Sequence, residues 1–203
     1  EGARQAATDA AEEFVKERGL VYMSHNLSPY FSEGMKAASY EIAEVLDDGI
    51  DHVVLPVGNG SLLIGMVRGF EELLEAGIIA RIPKFHGVQA AAVRPVVAAL
   101  NGEAWSHDDV LPTNASGIAV SKPPRLAEMV EAINSTNGTG VTVSEESLIE
   151  WQKRLSSSEG IFAEMTSAGA FEGLRKLIES GVIEKDSNVC VPITGSGLKE
   201  PLK

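Results

Sequence analysis

His52-Val-Val-Leu-Pro-Val-Gly-Asn-Gly-Ser-Leu-Leu-Ile-Gly65 is the stretch whose reading decides the fold. Val53, Val54 and Leu55 form an apolar, largely β-branched run without polar alternation, the pattern of a strand buried on both faces of a parallel sheet. Gly58-Asn-Gly-Ser61 then removes side-chain bulk where the backbone must turn sharply. From Leu62 the period changes, with Leu63, Val67, Phe70 and Leu74 falling at helical spacing. Strand, tight turn and helix are therefore predicted in that order. Such a turn aims the free N–H groups of the first helical turn at one spot, where the helix dipole adds partial positive charge. A phosphate would fit there.

Two phosphate-loop signatures are absent from this stretch. No Gly-Lys-Ser/Thr follows the loop, so it is not a Walker sequence. Leu63 stands where a dinucleotide fingerprint needs its third glycine. Taken locally, a turn that merely needs glycines is an equally good account.

Working outward, Ala6 to Arg18 reads as a helix within a charged amphipathic stretch that starts at Glu1, and Gly19 ends it. Leu20 to Met23 reads as a strand and Asn26 to Pro29 as a loop. A single amphipathic helix is predicted over Glu33 to Leu46. After the helix that runs to Ala76, a strand is expected at Phe85 to Gln89 and a short helix at Pro95 to Leu100. Asn101 to Ser116 is polar and reads as a surface excursion. A helix at Arg125 to Ser135 and a turn and strand at Gly138 to Val143 follow. Ser144 is expected to cap the next helix, although Ser147 leaves the capping box without its Glu or Gln. A long helix over Ala163 to Ser180 carries Gly169 and Gly173, which allow close packing, and a last strand is expected at Asn188 to Ile193. Strands alternating with helices indicate an α/β fold with an open parallel sheet.

Composition narrows the function classes. The net charge of −12, with 17 dispersed basic residues, argues against a nucleic-acid or anionic-membrane surface. No apolar run approaches the roughly 18 residues that span a membrane, and no secretory signal is visible, which predicts a cytoplasmic protein. The single cysteine, Cys190, excludes an internal disulfide framework and reads as a buried small hydrophobe. His25, His52, His86 and His107 are scattered, and none is paired at helical spacing. His107-Asp-Asp109 reads as a solvated loop rather than a cation site, so no metal is expected. His86 sits at a strand end, where a structural role and a ligand contact are both open. No Gly-x-Ser-x-Gly elbow is present. A second glycine turn, Thr194-Gly-Ser-Gly197, follows the last strand and could place a hydroxyl in the crevice beyond the strand ends.

Several segments in order carry a resemblance. They are Phe31-Ser-Glu-Gly-Met-Lys36 with its following helix, Leu55-Pro-Val-Gly-Asn-Gly-Ser61, Gly87-Val-Gln-Ala90, Gly117-Ile-Ala119, Pro123-Pro-Arg125, Gly160-Ile-Phe-Ala-Glu-Met-Thr-Ser-Ala168 and Thr194-Gly-Ser-Gly-Leu-Lys199. Together they resemble the fold-type II family of pyridoxal-phosphate enzymes, most closely its threonine synthase branch. The resemblance implies the large, cofactor-binding domain of a tryptophan synthase β-like fold over residues 31–203, with residues 1–30 a remnant of the small domain. It implies pyridoxal phosphate as cofactor, its phosphate cradled by Gly58, Asn59, Gly60, Ser61 and Leu62, and a hydroxyl offered to its ring nitrogen by Thr194 or Ser196. It further implies elimination or replacement on an amino-acid substrate, with phosphohomoserine to threonine as the nearest case, and a homodimer as the usual assembly.

The departures from the family pattern are equally definite. The family joins its cofactor by a Schiff base to a lysine in an N-terminal segment ahead of a Ser-Gly-Asn-type loop, and neither segment is found here. Lys36 resembles a lysine of the glutamate-glycine segment, not the Schiff-base lysine, and Lys16 and Lys199 also lie in other contexts. Met165 replaces a proline after Glu164. The expectation is therefore the C-terminal portion of such an enzyme, without its catalytic lysine. A non-catalytic module of the same descent that binds a phosphorylated metabolite is the alternative, and a flavodoxin-like or nucleotide-binding domain is a third reading.

Overall fold

The strand and helix predicted around the glycine turn form as β1 (His52–Pro56) and α4 (Ser61–Glu75) in a computed structural model, which describes residues 4–46 and 49–199. The turn demands glycine at position 60 for two reasons. Its φ is +84°, in the left-handed region, and a Cβ there would stand 2.4 Å from the Met129 side chain.

Strand β1 is central in a parallel sheet with β2 (Lys84–Ala90), β3 (Gly140–Val143) and β4 (Val189–Cys190), in the order β3-β2-β1-β4. Val54 registers with His86 and Val88 with Val141, while β4 pairs with β1 through Val189 opposite His52 and Cys190 opposite Val53. Successive side chains on a strand point to opposite faces. Val53 and Leu55 accordingly enter a core with α4 and α6 (Leu126–Ser135), beside α5 (Pro95–Leu100). Val54 enters a second core with α7 (Glu145–Glu159) and α8 (Met165–Glu179). All three side chains are fully buried, worth about 1.5–3 kcal/mol each by transfer. The result is a three-layer α/β/α fold around an open parallel sheet, the architecture expected from the sequence.

Glycines set the closest helix contacts. A Cβ on Gly65 would lie 2.4 Å from Met35 Cβ, and one on Gly69 would lie 2.9 Å from Lys36 O. This bare face of α4 lets α2 (Pro29–Met35) and α3 (Ala37–Val45) dock directly against it. Gly169 and Gly173 act similarly on α8, where a Cβ would meet Leu148 and Val88 respectively, each at 2.5 Å.

The structure corrects three predicted elements. Leu20 to Met23 is not a strand: it pairs with no other strand among the described residues, and Val21 and Met23 are 80 % and 87 % exposed. The predicted helix over Glu33 to Leu46 is two helices, because the Lys36 N–H bonds Glu33 O in a tight turn that re-aims the chain, and α2 begins earlier, at Pro29. The last strand shortens to Val189 and Cys190, since Pro192 lacks an N–H to continue the ladder. Cys190 itself is half-buried rather than buried.

Elsewhere the predicted elements form. Helix α1 (Arg4–Arg18) ends at Gly19 with φ +60°, and the first three residues of the stretch expected from Glu1 lie outside the described residues. Ser144 caps α7 by accepting from Ser147 N at 3.3 Å. Among the described residues no helix is long and apolar enough to cross a membrane.

Candidate functional site

The strands are parallel, so the segments after β1 and β4 emerge at the same edge of the sheet, where ligands of open α/β folds bind. They meet in a cavity of about 300 Å³. One wall is Pro56 to Leu63, which contains every predicted loop residue: Gly58, Asn59, Gly60, Ser61 and Leu62. Glu164, Thr166 and Thr194 form another wall, and Gly117 with Ile118 closes a third side. His25, Asn26, Phe31 and Met35 complete the lining.

The loop end of this cavity presents unsatisfied hydrogen-bonding groups. Gly60 is the N-cap of a fifteen-residue helix and brings no side chain to cap it, so the first-turn N–H groups of α4 keep their donors. Ser61 is 9 % exposed, and its Oγ is buried with no hydrogen-bond partner. An unpaired buried hydroxyl costs free energy on the order of 1–3 kcal/mol. An oxyanion in the cavity would satisfy both deficits. The residues present therefore fit a phosphate group, in a space within the usual range of small-molecule sites.

Packing holds the loop in place. The Gln89 side chain donates from Nε2 to Val57 O at 3.2 Å, while its Oε1 accepts the N–H groups of Val96 and Val97 at the start of α5. Gly58 approaches the 117–118 segment so closely that a Cβ would stand 3.0 Å from Gly117 O. Gly117 N in turn donates to Thr166 Oγ1 at 3.2 Å, tying that segment to the start of α8.

At the opposite end, the chain leaving β4 is clamped to the N-terminus of α8. Glu164 N donates to Gly195 O at 2.9 Å, and Gly197 N donates to Phe162 O at 2.8 Å. Ser167 Oγ accepts from Thr194 N at 3.0 Å and from Gly195 N at 3.2 Å. Glu164, 4 % exposed, carries an ion pair with Lys199 Nζ at 2.6 Å. Thr194 lines the cavity. Ser196, the other predicted hydroxyl, does not; its Oγ accepts from Leu198 N at 3.2 Å.

The chain matches the family model described as "Pyridoxal-phosphate dependent enzyme" over residues 1–195. It belongs to that family. Among its relatives, threonine synthase of Methanocaldococcus jannaschii is 35 % identical over 201 residues, covering 96 % of this chain and 49 % of the relative. Threonine synthase of Methanosarcina acetivorans is 36 % identical over 184 residues, 89 % of this chain and 45 % of the relative. The chain thus spans about half the length of the curated relatives it matches. A similar fold is found in the processed form of threonine deaminase isoform 2 from Solanum lycopersicum, with a TM-score of 0.71 at 23 % identity, covering 91 % of this chain and 51 % of that one. The family's cofactor is pyridoxal phosphate, and the fold is that of its fold-type II members.

Several residues of the site carried no predicted role. Glu164, Thr166 and Ser167 lie in the 160–168 segment, whose resemblance to the family implies no role for any single residue. A signal was present: two helices starting at the same sheet edge bring both their first turns to the crevice. Lys36 is held by Glu33 and by Glu72, its Nζ 2.5 Å from Glu72 Oε1, and these carboxylates raise its amine above the ordinary lysine value. It does not line the cavity. His52 and His86 lie within the sheet, and no group of three or more metal-ligating side chains gathers among the described residues.

Proposed function

We propose that this chain is the cofactor-holding part of a pyridoxal-phosphate enzyme that eliminates or replaces a substituent on an amino acid, with conversion of phosphohomoserine to threonine as the nearest case. The observation that carries the reading is the unpartnered, buried Ser61 hydroxyl at the uncapped start of α4, facing a cavity whose far wall presents Thr194.

Each of these residues has a task in this reading. The N–H groups of Gly60, Ser61 and Leu62, with the Ser61 hydroxyl, bind the cofactor phosphate, and Gly58 and Asn59 shape the turn that aims them. Thr194 offers its hydroxyl to the ring nitrogen. Met35, Ile118 and Phe31, which line the cavity, would help exclude water from it once the cofactor is bound. When bound, pyridoxal phosphate supplies the electron sink that stabilises carbanion character at a substrate carbon. A neutral hydroxyl partner leaves the ring nitrogen largely unprotonated and moderates that sink.

No lysine lines the cavity among the described residues, so the reading assigns proton transfer at the substrate to a lysine from a segment outside this sequence. Residues 1–30 are read as part of a smaller domain, consistent with the exposed apolar side chains of Leu20, Val21 and Met23. The names of the threonine synthase relatives support the reaction class.

Titration calorimetry of this chain with pyridoxal phosphate, inorganic phosphate and phosphohomoserine tests the proposal. Pyridoxal phosphate is expected to bind about tenfold or more tightly than inorganic phosphate, because the ring adds burial and the Thr194 hydrogen bond. Equal affinity for all three ligands, or a preference for phosphohomoserine over pyridoxal phosphate, would instead favour a non-catalytic module that binds phosphate or a phosphorylated metabolite.

A further inference from the structure

We infer that Ser167 is a positioning residue that biases the Thr194 hydroxyl to be a hydrogen-bond donor toward the cavity; the inference rests on the proposal that the cofactor ring lies against Thr194. Ser167 is fully buried on the first turn of α8. Its Oγ receives two backbone N–H groups, from Thr194 at 3.0 Å and Gly195 at 3.2 Å. A hydroxyl has two lone pairs and one proton, so both acceptor positions are occupied and only the proton is left to give.

Two acceptors are in reach of that proton. Thr194 Oγ1 is 2.8 Å away and Glu164 Oε1 is 3.5 Å away. Hydroxyl hydrogen bonds are made at about 2.5–3.0 Å, so the proton goes to Thr194. Thr194 Oγ1 is thereby an acceptor on its inner side, and its own proton must point elsewhere. Within the protein its only outlet among the described residues is Glu164 Oε1, at a long 3.3 Å. A lone-pair acceptor in the cavity, such as an unprotonated pyridine nitrogen, offers a better one.

Backbone geometry thus fixes the direction of a chain of hydroxyls. The Thr194 and Gly195 amides point at Ser167, Ser167 points at Thr194, and the Thr194 proton is left to choose between Glu164 at 3.3 Å and an acceptor in the site. The clamp that sets this up is tight. A Cβ on Gly195 would stand 2.4 Å from Glu164 Oε1, so glycine is what lets this segment lie so close to Glu164. A ring nitrogen already carrying a proton would be received only if Thr194 turned its own proton to Glu164 Oε1, the longer contact at 3.3 Å. Ser167 therefore favours the unprotonated ligand at Thr194.

The test compares two probes, pyridoxal phosphate and its 1-deaza analogue, in which C–H replaces the ring nitrogen, with inorganic phosphate as the control. Wild-type protein is expected to prefer pyridoxal phosphate over the deaza analogue by about tenfold, roughly one hydrogen bond. Ser167→Ala is expected to cut that preference to about twofold, with affinity for inorganic phosphate unchanged. Thr194→Val, which leaves the Ser167 contacts to the backbone in place, is expected to do the same, and the double variant to add nothing further. Ser167→Cys, with a similar volume and a weak donor, is expected to fall between. If Ser167→Ala fails to fold, the Cys and Val variants still decide. In 15N-labelled pyridoxal phosphate, the ring nitrogen signal of wild-type protein is expected at the hydrogen-bonded, unprotonated position. A preference for pyridoxal phosphate that survives the Ser167 variants, or an equal loss of both probes, overturns the inference. A wild-type protein that binds pyridoxal phosphate no better than phosphate overturns the proposed function instead.

Discussion

His52 Nδ1 lies 2.9 Å from His86 Nε2, and the two rings stack at 26° between the central strands β1 and β2. One ring must supply the N–H and the other the lone pair, so the contact requires the accepting ring to be neutral. His86 is fully buried, and its remaining nitrogen, Nδ1, has no partner. Burial, aided by the His52 and Lys84 charges, pushes the His86 pKa down to about 4, and burial likewise lowers that of His52. Asp51 and Glu184 pull His52 the other way, but less strongly.

The consequence for stability has a definite sign. Between pH 6.5 and 4 the unfolded chain binds a proton at His86 that the folded chain refuses, so stability falls as pH falls. The loss by pH 5 is about 2 kcal/mol from this group. Urea unfolding at pH 7.5, 6 and 5 should show it, and His86→Leu should flatten the slope between pH 6.5 and 5. An unchanged slope in that variant would mean the pair is not the source.

Two helical glycines, Gly34 on α2 and Gly65 on α4, should behave oppositely when substituted. Gly65→Ala places a Cβ against Met35 Cβ and Ser32 O, the latter at 2.6 Å, and neither backbone can yield freely. It is expected to destabilise by about 1–3 kcal/mol. Gly34, also helical, has open space around it, so Gly34→Ala should be neutral or stabilise by up to about 1 kcal/mol. Paired urea melts check both.

Ser61→Ala should separate binding from folding. The hydroxyl has no partner to lose within the protein, so stability without ligand is expected to stay within about 0.5 kcal/mol or rise slightly. Affinity for pyridoxal phosphate and for inorganic phosphate should both fall about tenfold. Calorimetry with thermal unfolding on the same samples reads both effects.

Lys36 should be a poor nucleophile. Its ion pairs with Glu33 and Glu72 stabilise the charged amine, and only the neutral amine attacks an aldehyde. Incubation with pyridoxal phosphate at pH 8, borohydride reduction and peptide mapping should label Lys36 less than Lys122 or Lys153. Preferential labelling of Lys36 would overturn this expectation.

Local pattern was enough for most of the architecture. The β-branched run at Val53 to Leu55, the helical spacing from Leu63 and the glycines between them are short-range signals, and the structure forms the corresponding elements nearly to the residue. Pro95 to Leu100 was legible for the same reason, with proline at its first position. The misread elements depend on distant partners. Leu20 to Met23 has strand composition but nothing to pair with among the described residues. Lys36 sits in two helical patterns that differ only in direction, and that direction is set by the bare glycine face of α4, about thirty residues on.

For the candidate site, the sequence by itself determined the glycine turn at the helix start and the second, hydroxyl-bearing glycine turn, because both are local devices of the chain. Only the tertiary structure decided between Thr194 and Ser196 as the hydroxyl on the cavity wall, and brought Glu164 and Ser167 to it. The reason is geometric. Which hydroxyl faces the crevice depends on how the chain leaving β4 docks on the first turn of α8, a contact between residues nearly thirty apart that no local pattern encodes.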